Sequence, residues 1–238
     1  MKNLLTVLLG TVLILEPTGS TLSLAASKGK DEDRLKDCGS VLKEILDIPD
    51  DIPQDLLDKA DCVVVYPSVL KAAFVVGGSY GRGAMTCRQG ESFKGSWGAP
   101  TMMALEGGSF GFQIGGQATD FVLLVMNEGG ARGILSGKVK LGGDASVAAG
   151  PVGRNASAET DVTLRSEILS YSRARGLFAG ISLAGSTIRP DKNANKQIYG
   201  KEIEAKEIVL SDKVKVPAAA EQLVTTLNNK TPHHKTSP

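Results

Sequence analysis

The sequence predicts an α+β domain in which a curved antiparallel β-sheet, or a partly open barrel, is flanked by helices. An apolar stripe with helical spacing precedes residue 50, and short β-branched or apolar runs punctuated by glycine follow from about residue 60. The 238 residues are 42% hydrophobic and 22% charged, with a net charge of +1. This composition is typical of one globular domain with modest appendages, and the balanced charge gives no reason to expect a nucleic-acid partner.

The N-terminal segment has the pattern of a secretory signal peptide. A positive start at Met1-Lys2 precedes an apolar run from Leu4 to Leu15 and a small-residue site at Ser23-Leu24-Ala25. We expect residues 1–25 to be cleaved near Ala25, and the protein to be secreted or periplasmic, with peripheral association with a membrane. The alternative is an uncleaved anchor, although the run is shorter than the ~20 residues that span a bilayer.

Helices are predicted at both ends of the mature chain. One apolar stripe between Lys30 and Asp47 predicts a helix packed on the sheet, since its polar face is acidic and would be repelled by anionic lipid. A second, short helix extends through Leu57. The domain proper is expected at 30–210, followed at 211–238 by a surface helix from Ala218 to Leu227 and a polar, frayed tail.

The strands are predicted from apolar runs between turn signals. The β-branched run from Asp61 predicts a buried strand that Pro67 ends. A helix or turn is expected around Ala131 to Ser136, and two strands between Glu167 and Ser186. Further strands are expected at AAFVVGG, RGAMTCR, APTMMAL, GFQIGG and DFVLLVM.

The three cysteines permit one disulfide. Export implies an oxidising compartment, and we expect Cys62 to pair with Cys87, because neighbouring strands can bring two Cβ atoms within bonding reach. Cys38 is then left as a thiol. The alternative is three buried thiols that pack as small apolar side chains.

No catalytic or metal-binding constellation stands out. The repeated motif G-G-S-aromatic-G, at Gly77–Gly81 and Gly107–Gly111, matches a serine-hydrolase nucleophile pattern. A triad also needs an imidazole, and the only histidines are His233 and His234 in the tail. We therefore interpret these glycines as structural and expect no enzymatic activity, no metal and no cofactor.

The later half of the domain carries the basic excess, with ten basic and six acidic residues from Glu128 to Gly200. Arg173 and Arg175 alternate along a predicted strand, so both are expected on one face, where guanidinium groups could grip phosphate. The alternative is that these two arginines form ion pairs with Glu159, Asp161 or Glu167. The full set of candidate lipid-binding residues is Arg173, Arg175, Ser170, Ser172, Lys138, Lys140, Arg82 and Arg154.

Several separated motifs resemble the SYLF domain family. They are VVVYPSVLKAAFVVGGSYGRG, GFQIGGQATDFVLLVMN, AAGPVGR and SYSRARGLFAGISLAG, which together span about Leu35 to Val209. The resemblance implies a compact α+β domain that binds phospholipid membranes, with phosphoinositides preferred by eukaryotic members and actin bound by fungal ones. Where members often have Leu-Glu-Gly, this chain has Leu183-Ala184-Gly185.

Two functions follow as expectations. The first is a non-enzymatic module that binds an anionic phospholipid head group, phosphoinositide-like or other, through the basic residues. The alternative is a protein-interaction domain that binds actin-like filaments or envelope proteins.

Overall fold

The computed structural model describes residues 19–48, 52–73, 76–90, 92–110, 117–153, 166–174 and 177–235. The helices are α1 Gly19–Leu46, α2 Gln54–Lys59, α3 Glu128–Ser136, α4 Lys192–Tyr199, α5 Ala205–Leu210 and α6 Glu221–Lys230, with a 3₁₀ turn at Ala218–Ala220. The strands are β1 Cys62–Ala73, β2 Val76–Cys87, β3 Thr101–Phe110, β4 Gln117–Val125, β5 Val139–Lys140, β6 Val147–Ala149, β7 Ile168–Ala174, β8 Leu177–Gly180 and β9 Ser186–Pro190.

The nine described strands form one strongly curled sheet, a half-barrel, so the predicted α+β class and the curvature are confirmed. The strand order is β5-β9-β3-β2-β1-β4-β7-β6, and β8 also pairs with β7. One detail differs from the expectation of a purely antiparallel sheet, because β6 and β7 are parallel.

Both faces of the central strands are buried. Val63 and Val65 of β1 pack under α1, α2 and α6, whereas Val64 and Tyr66 pack against α3 and α5. This two-sided burial explains why β1 is a continuous apolar run and not an alternating one. The face of α1 that carries Leu35 and Leu42 is fully buried, as expected for a helix packed on the sheet.

β1 does not end at Pro67, which corrects the prediction. The register of β1 with both neighbouring strands shifts across residues 66–69, and Ser68 adopts a left-handed conformation with φ 51°. Proline is tolerated inside a sheet at such a bulge, because no ladder hydrogen bond is required of it there. The strand therefore continues to Ala73.

The two G-G-S-aromatic-G motifs pair with each other across β2 and β3. Gly78 lies opposite Gly108, and Ser79 opposite Gly107. A Cβ atom on Gly107 would lie 2.5 Å from Ser79 Oγ, so the glycine permits a close approach of two strands. Their role in the described structure is in strand pairing.

The C-terminal segment is docked and not frayed as far as Lys235, the last residue described. Leu223, Val224 and Leu227 of α6 are buried against α1, and Thr231 is fully buried. Thr231 is hydrogen-bonded to Arg88 and Trp97, which lie more than 130 residues earlier in the sequence, and periodicity cannot reveal such contacts. In the described part of the chain, no helix combines the length and apolar character needed to cross a membrane. Residues 1–18 lie outside it, so the signal peptide and the boundary at Ala25 stay predictions.

Candidate functional site

A groove of about 390 Å³ runs between α1 and the β1–β2 pair. Two exposed apolar side chains form its sheet side: Leu70 is 62% exposed and Tyr80 is 51% exposed, and the two lie directly opposite each other across the strands. Large apolar groups in contact with solvent at one place indicate a docking surface. The lining residues are Lys30, Asp33, Arg34, Asp37, Pro67, Ser68, Leu70, Tyr80, Gly81 and Arg82.

The bulge in β1 accounts for the outward direction of Leu70. Val69 is fully buried beneath the sheet, and the next residue, Leu70, therefore faces outward. Ser68 is held by its backbone N–H, which donates to Asp120 Oδ1 at 2.9 Å. Gly81 lies over Val69, where a Cβ atom would come within 2.5 Å of the valine methyl. The apolar pair is thus fixed by backbone geometry.

An ion network supports the other end of the groove. Arg82 Nε donates to Asp191 Oδ2 at 2.8 Å, and Arg82 Nη2 lies 3.5 Å from Asp31 Oδ1. Arg34 also pairs with the almost fully buried Asp31. Burial is the largest single influence and lowers the pKa of Arg82, but the hydrogen bond to Asp191 and the charges of Asp191 and Asp31 together raise that pKa above its usual value. Arg82, a predicted lipid ligand, thus already has two carboxylate partners.

Arg173 is engaged in the same way. Its Nη2 and Nε donate to Asp120 Oδ2 at 2.8 and 3.1 Å, and its Nη1 donates to Glu44 of α1. Arg173 and Asp120 are opposite each other in the β7–β4 register. The predicted role of Arg173 as a phosphate ligand is not supported by this geometry, since carboxylates occupy its fork. The ion-pair alternative is the better account, although with partners other than those proposed.

The serines predicted beside it differ in accessibility. Ser170 is fully buried, and its hydroxyl lies 3.2 Å from the Ala148 carbonyl and also close to that of Ile181. A hydroxyl has one proton to donate, so Ser170 has none for a ligand. Ser172 is half-buried. Arg175 and Arg154 lie outside the described residues, and their role stays a prediction.

Lys138 and Lys140 are exposed and flank the buried Val139. Lys138 lines a second cavity, of about 330 Å³, together with Arg189 and Lys192. Carboxylates reduce the positive charge here, because Arg189 pairs with Glu106 at 2.7 Å and Lys192 with Glu204 at 3.0 Å.

The cysteines have structural positions. Cys62 and Cys87 are joined by a disulfide between the first residue of β1 and the last of β2, the pairing that the sequence predicted. Cys38 is a buried thiol 3.5 Å from the Val65 carbonyl, and burial raises its pKa. A thiol that stays protonated and buried is unsuited to nucleophilic chemistry. Among the described residues, no three His, Cys, Asp or Glu side chains are placed to hold a metal ion.

The groove itself was missed by sequence reasoning. Leu70 falls between the strand that the sequence predicts to end at Pro67 and the next predicted run, AAFVVGG, and Tyr80 falls in the glycine motif interpreted as structural. The signal that could have found the pair is the Pro67-Ser68 bulge. A bulge inside a β-branched run shifts the alternation, so Leu70 changes face.

Comparison with known proteins identifies the family. Residues 106–230 match the family model Ysc84, described as "Las17-binding protein actin regulator". The chain is 37% identical over 182 residues to Protein YSC84 of Saccharomyces cerevisiae, which covers 75% of this chain and 38% of that protein. It is 33% identical over 189 residues to LAS seventeen-binding protein 3 of the same yeast, covering 78% and 40%.

A mammalian relative matches over a longer segment. The chain is 36% identical over 210 residues to SH3 domain-containing YSC84-like protein 1 of Mus musculus, which covers 84% of this chain and 60% of that protein. The matches thus span about two fifths of the yeast proteins and three fifths of the mouse protein. With more than half of its residues matched by the family model, the chain belongs to the Ysc84 family, the SYLF-domain family that its motifs resemble.

Proposed function

We propose that this chain is a non-catalytic protein-interaction domain that acts in actin regulation, and that it binds its partner in the groove between α1 and the β1–β2 pair. The observation that carries the proposal is the exposed Leu70–Tyr80 pair. The names of the relatives support the class of partner, since the family model is described as a Las17-binding actin regulator.

The groove has the anatomy of an interface. Its centre is an aliphatic and an aromatic side chain, and its rim is formed by the charged residues of α1. Burying an exposed leucine contributes about 1.5–3 kcal/mol, and tyrosine is enriched among the residues that dominate binding energy. Two such side chains would together contribute about 3–6 kcal/mol, so a micromolar complex, which requires about 8 kcal/mol, also needs contacts at the rim.

The neighbouring charges suit a docking surface. Arg34, Arg82 and Arg173 are paired with carboxylates before any partner arrives. A partner that covers them would therefore not leave an isolated charge buried, which is the costly outcome. Arg82 also lies 3.5 Å from Asp31, and Arg173 also pairs with Glu44, so ion pairs link α1 to β2 and β7 and hold the two sides of the groove together.

The test is binding of the wild-type chain and of the Leu70→Ser/Tyr80→Ser variant to two probes, purified actin filaments by co-sedimentation and purified Las17 by pull-down. We expect wild type to bind at least one probe and the variant to bind it at least tenfold more weakly. Leu177→Ser is the matched control, because Leu177 is 77% exposed but does not line the groove. Equal loss in the control and the variant, or no binding by wild type to either probe, would contradict the proposal.

Binding of an anionic lipid is the second candidate, and the exposed Lys138, which lines the second cavity, and the exposed Lys140 favour it. A basic side chain near an anionic membrane contributes ~1 kcal/mol, so the exposed Lys138 and Lys140 would together contribute ~2 kcal/mol to binding. In liposome flotation with phosphatidylserine vesicles, Lys138→Ala/Lys140→Ala should reduce binding about tenfold or more, and Leu70→Ser/Tyr80→Ser should not. Unchanged flotation of the lysine variant would exclude this surface.

A further inference from the structure

The segment Thr231–Lys235, here called the C-terminal strap, crosses the end of the sheet and is held there by polar contacts. Its last described amide, Lys235 N–H, donates to the Asp58 carbonyl at 3.0 Å, and Lys235 Nζ lies 2.9 Å from the Asp58 carboxylate. Within the strap, Thr231 is buried, whereas Pro232, His233 and Lys235 are exposed. Segments with few buried apolar contacts open locally at lower free energy than the core, so the strap is the part of this region most able to open.

Arg88, which directly follows β2, is the main anchor of the strap. Its side chain is fully buried, and the two hydrogens of its Nη2 are shared among Thr231 Oγ1 at 2.7 Å and the carbonyls of Thr231 and His233 at 3.1 and 3.2 Å. The guanidinium lies 4.6 Å from the ring centre of Trp97, whose Nε1–H donates to the Thr231 carbonyl. Trp97 is the one tryptophan in the chain, so its fluorescence reports on the strap.

Two titratable side chains face each other beside this anchor. His234 Nε2 lies 3.0 Å from Asp61 Oδ1, and the side chains are 10% and 6% exposed. His234 belongs to the strap, and Asp61 directly precedes β1. Opening of the strap therefore separates the pair and returns both groups to water.

We propose that Asp61 and His234 exchange one proton when the strap opens and closes: the docked strap holds the proton on the carboxyl of Asp61, and the open strap carries it on the imidazole of His234. The proton count of the protein is then almost unchanged by opening between about pH 5 and pH 7. The free energy of docking the strap is therefore almost independent of pH in this range, although Asp61 and His234 are themselves titratable.

The pKa values of the two groups support this distribution. Burial, and next the charge of Glu128, raise the pKa of Asp61 to about 7. Burial, and next the charge of Arg88, lower the pKa of His234 below its usual value. Burial is the largest cause for each group separately, so each shift should persist when the other side chain is replaced.

The signs of the two contributions are opposite. A carboxyl whose pKa is raised in the docked form favours docking at low pH, and this stabilisation is lost as the pH rises towards 7. An imidazole whose pKa is lowered in the docked form disfavours docking as the pH falls below its usual range. In the wild-type chain these effects offset each other. The other charged groups around the pair are Arg88, Lys94, Glu128, Lys59, Asp58, Asp55 and Lys235.

The test measures opening of the strap in the full chain from pH 5 to pH 7, by hydrogen exchange of the strap amides corrected for intrinsic rates and by Trp97 fluorescence. For wild type we expect the opening constant to change less than about threefold. In Asp61→Asn the constant should rise as the pH falls, and in His234→Gln it should rise as the pH rises, each by up to about tenfold per pH unit.

Two outcomes would overturn the proposal: a wild-type constant that changes tenfold or more, or variants that both stay as flat as wild type. A measurement on the wild-type chain tests the proposal even if the two variants do not fold. In NMR spectra at pH 6, the His234 ring should be neutral and the Asp61 carboxyl protonated. An imidazolium at His234 in the docked chain would refute the assignment of the proton.

Discussion

Arg173 is predicted to stabilise the fold and to be dispensable for binding anionic lipid. The sequence predicts that Arg173 holds phosphate, yet its guanidinium donates twice to Asp120 and once to Glu44. Replacement by alanine removes the bridge between α1 and the β4–β7 pair, and it leaves the Asp120 carboxylate with the Ser68 N–H as its described partner.

The size of the effect follows from exposure. The Arg173 and Asp120 side chains are 18% and 16% exposed, so their ion pair is neither fully exposed nor fully buried. An exposed ion pair contributes about 0.2–1 kcal/mol to stability, and breaking a fully buried pair costs about 3–5 kcal/mol. We expect an energy between these two limits. Glu44 is mostly exposed and adds little. We expect Arg173→Ala to lower the free energy of unfolding by about 1.5–2 kcal/mol, which corresponds to about 5 °C in Tm for a protein of this size.

Urea unfolding of Arg173→Ala, Asp120→Ala and the double variant gives the coupling energy directly. We expect a coupling of about 1 kcal/mol or more between the two side chains. In phosphatidylserine flotation, Arg173→Ala should bind like wild type once the folded fraction is matched. A coupling near zero together with a loss of flotation would refute this reasoning, because the guanidinium would then be free for a ligand.

Three further changes test the fold. Reduction of the Cys62–Cys87 disulfide, which closes a loop with a sequence separation of 25, should lower the free energy of unfolding by about 3.5 kcal/mol in chemical denaturation, and an unchanged midpoint would contradict this. Gly83→Ala should lower the free energy of unfolding by about 3 kcal/mol or prevent folding, because the added Cβ would lie 1.9 Å from the Val65 carbonyl oxygen. The control Gly133→Ala in α3 should leave this free energy unchanged or raise it by up to about 1 kcal/mol. Asn195→Ala should lower the free energy of unfolding by about 1–3 kcal/mol in thermal denaturation, because the buried Met102 N–H of β3 loses its acceptor, Asn195 Oδ1, at 2.7 Å. A loss below about 0.5 kcal/mol would contradict a stabilising role of this hydrogen bond.

The elements that the sequence predicted are those with a local signal. The helical stripe of α1 and the β-branched runs of β1 and β4 are buried as their periodicity indicated, and the disulfide joins the two cysteines at the ends of neighbouring strands. The short strands β5, β6 and β9 have two to five residues, too few to show a period.

The candidate site could not be predicted because its contacts join distant positions. Arg173 has its partners 53 and 129 residues away, at Asp120 and Glu44. The Arg88 side chain holds a strap 143 residues further along the chain, at Thr231. The strand predicted after Glu167 includes Arg173, as β7 does, but a local pattern carries no information on which charge lies across the sheet.

The central claim is that a protein partner covers the groove between α1 and the β1–β2 pair. Its most direct test is hydrogen exchange of the full chain with and without saturating Las17 or actin filaments, whichever binds. We predict added protection at the amides of residues 30–37 and 78–82, with no change around Lys138 and Lys140. Protection confined to the lysine surface, with the groove amides unchanged, would contradict the account.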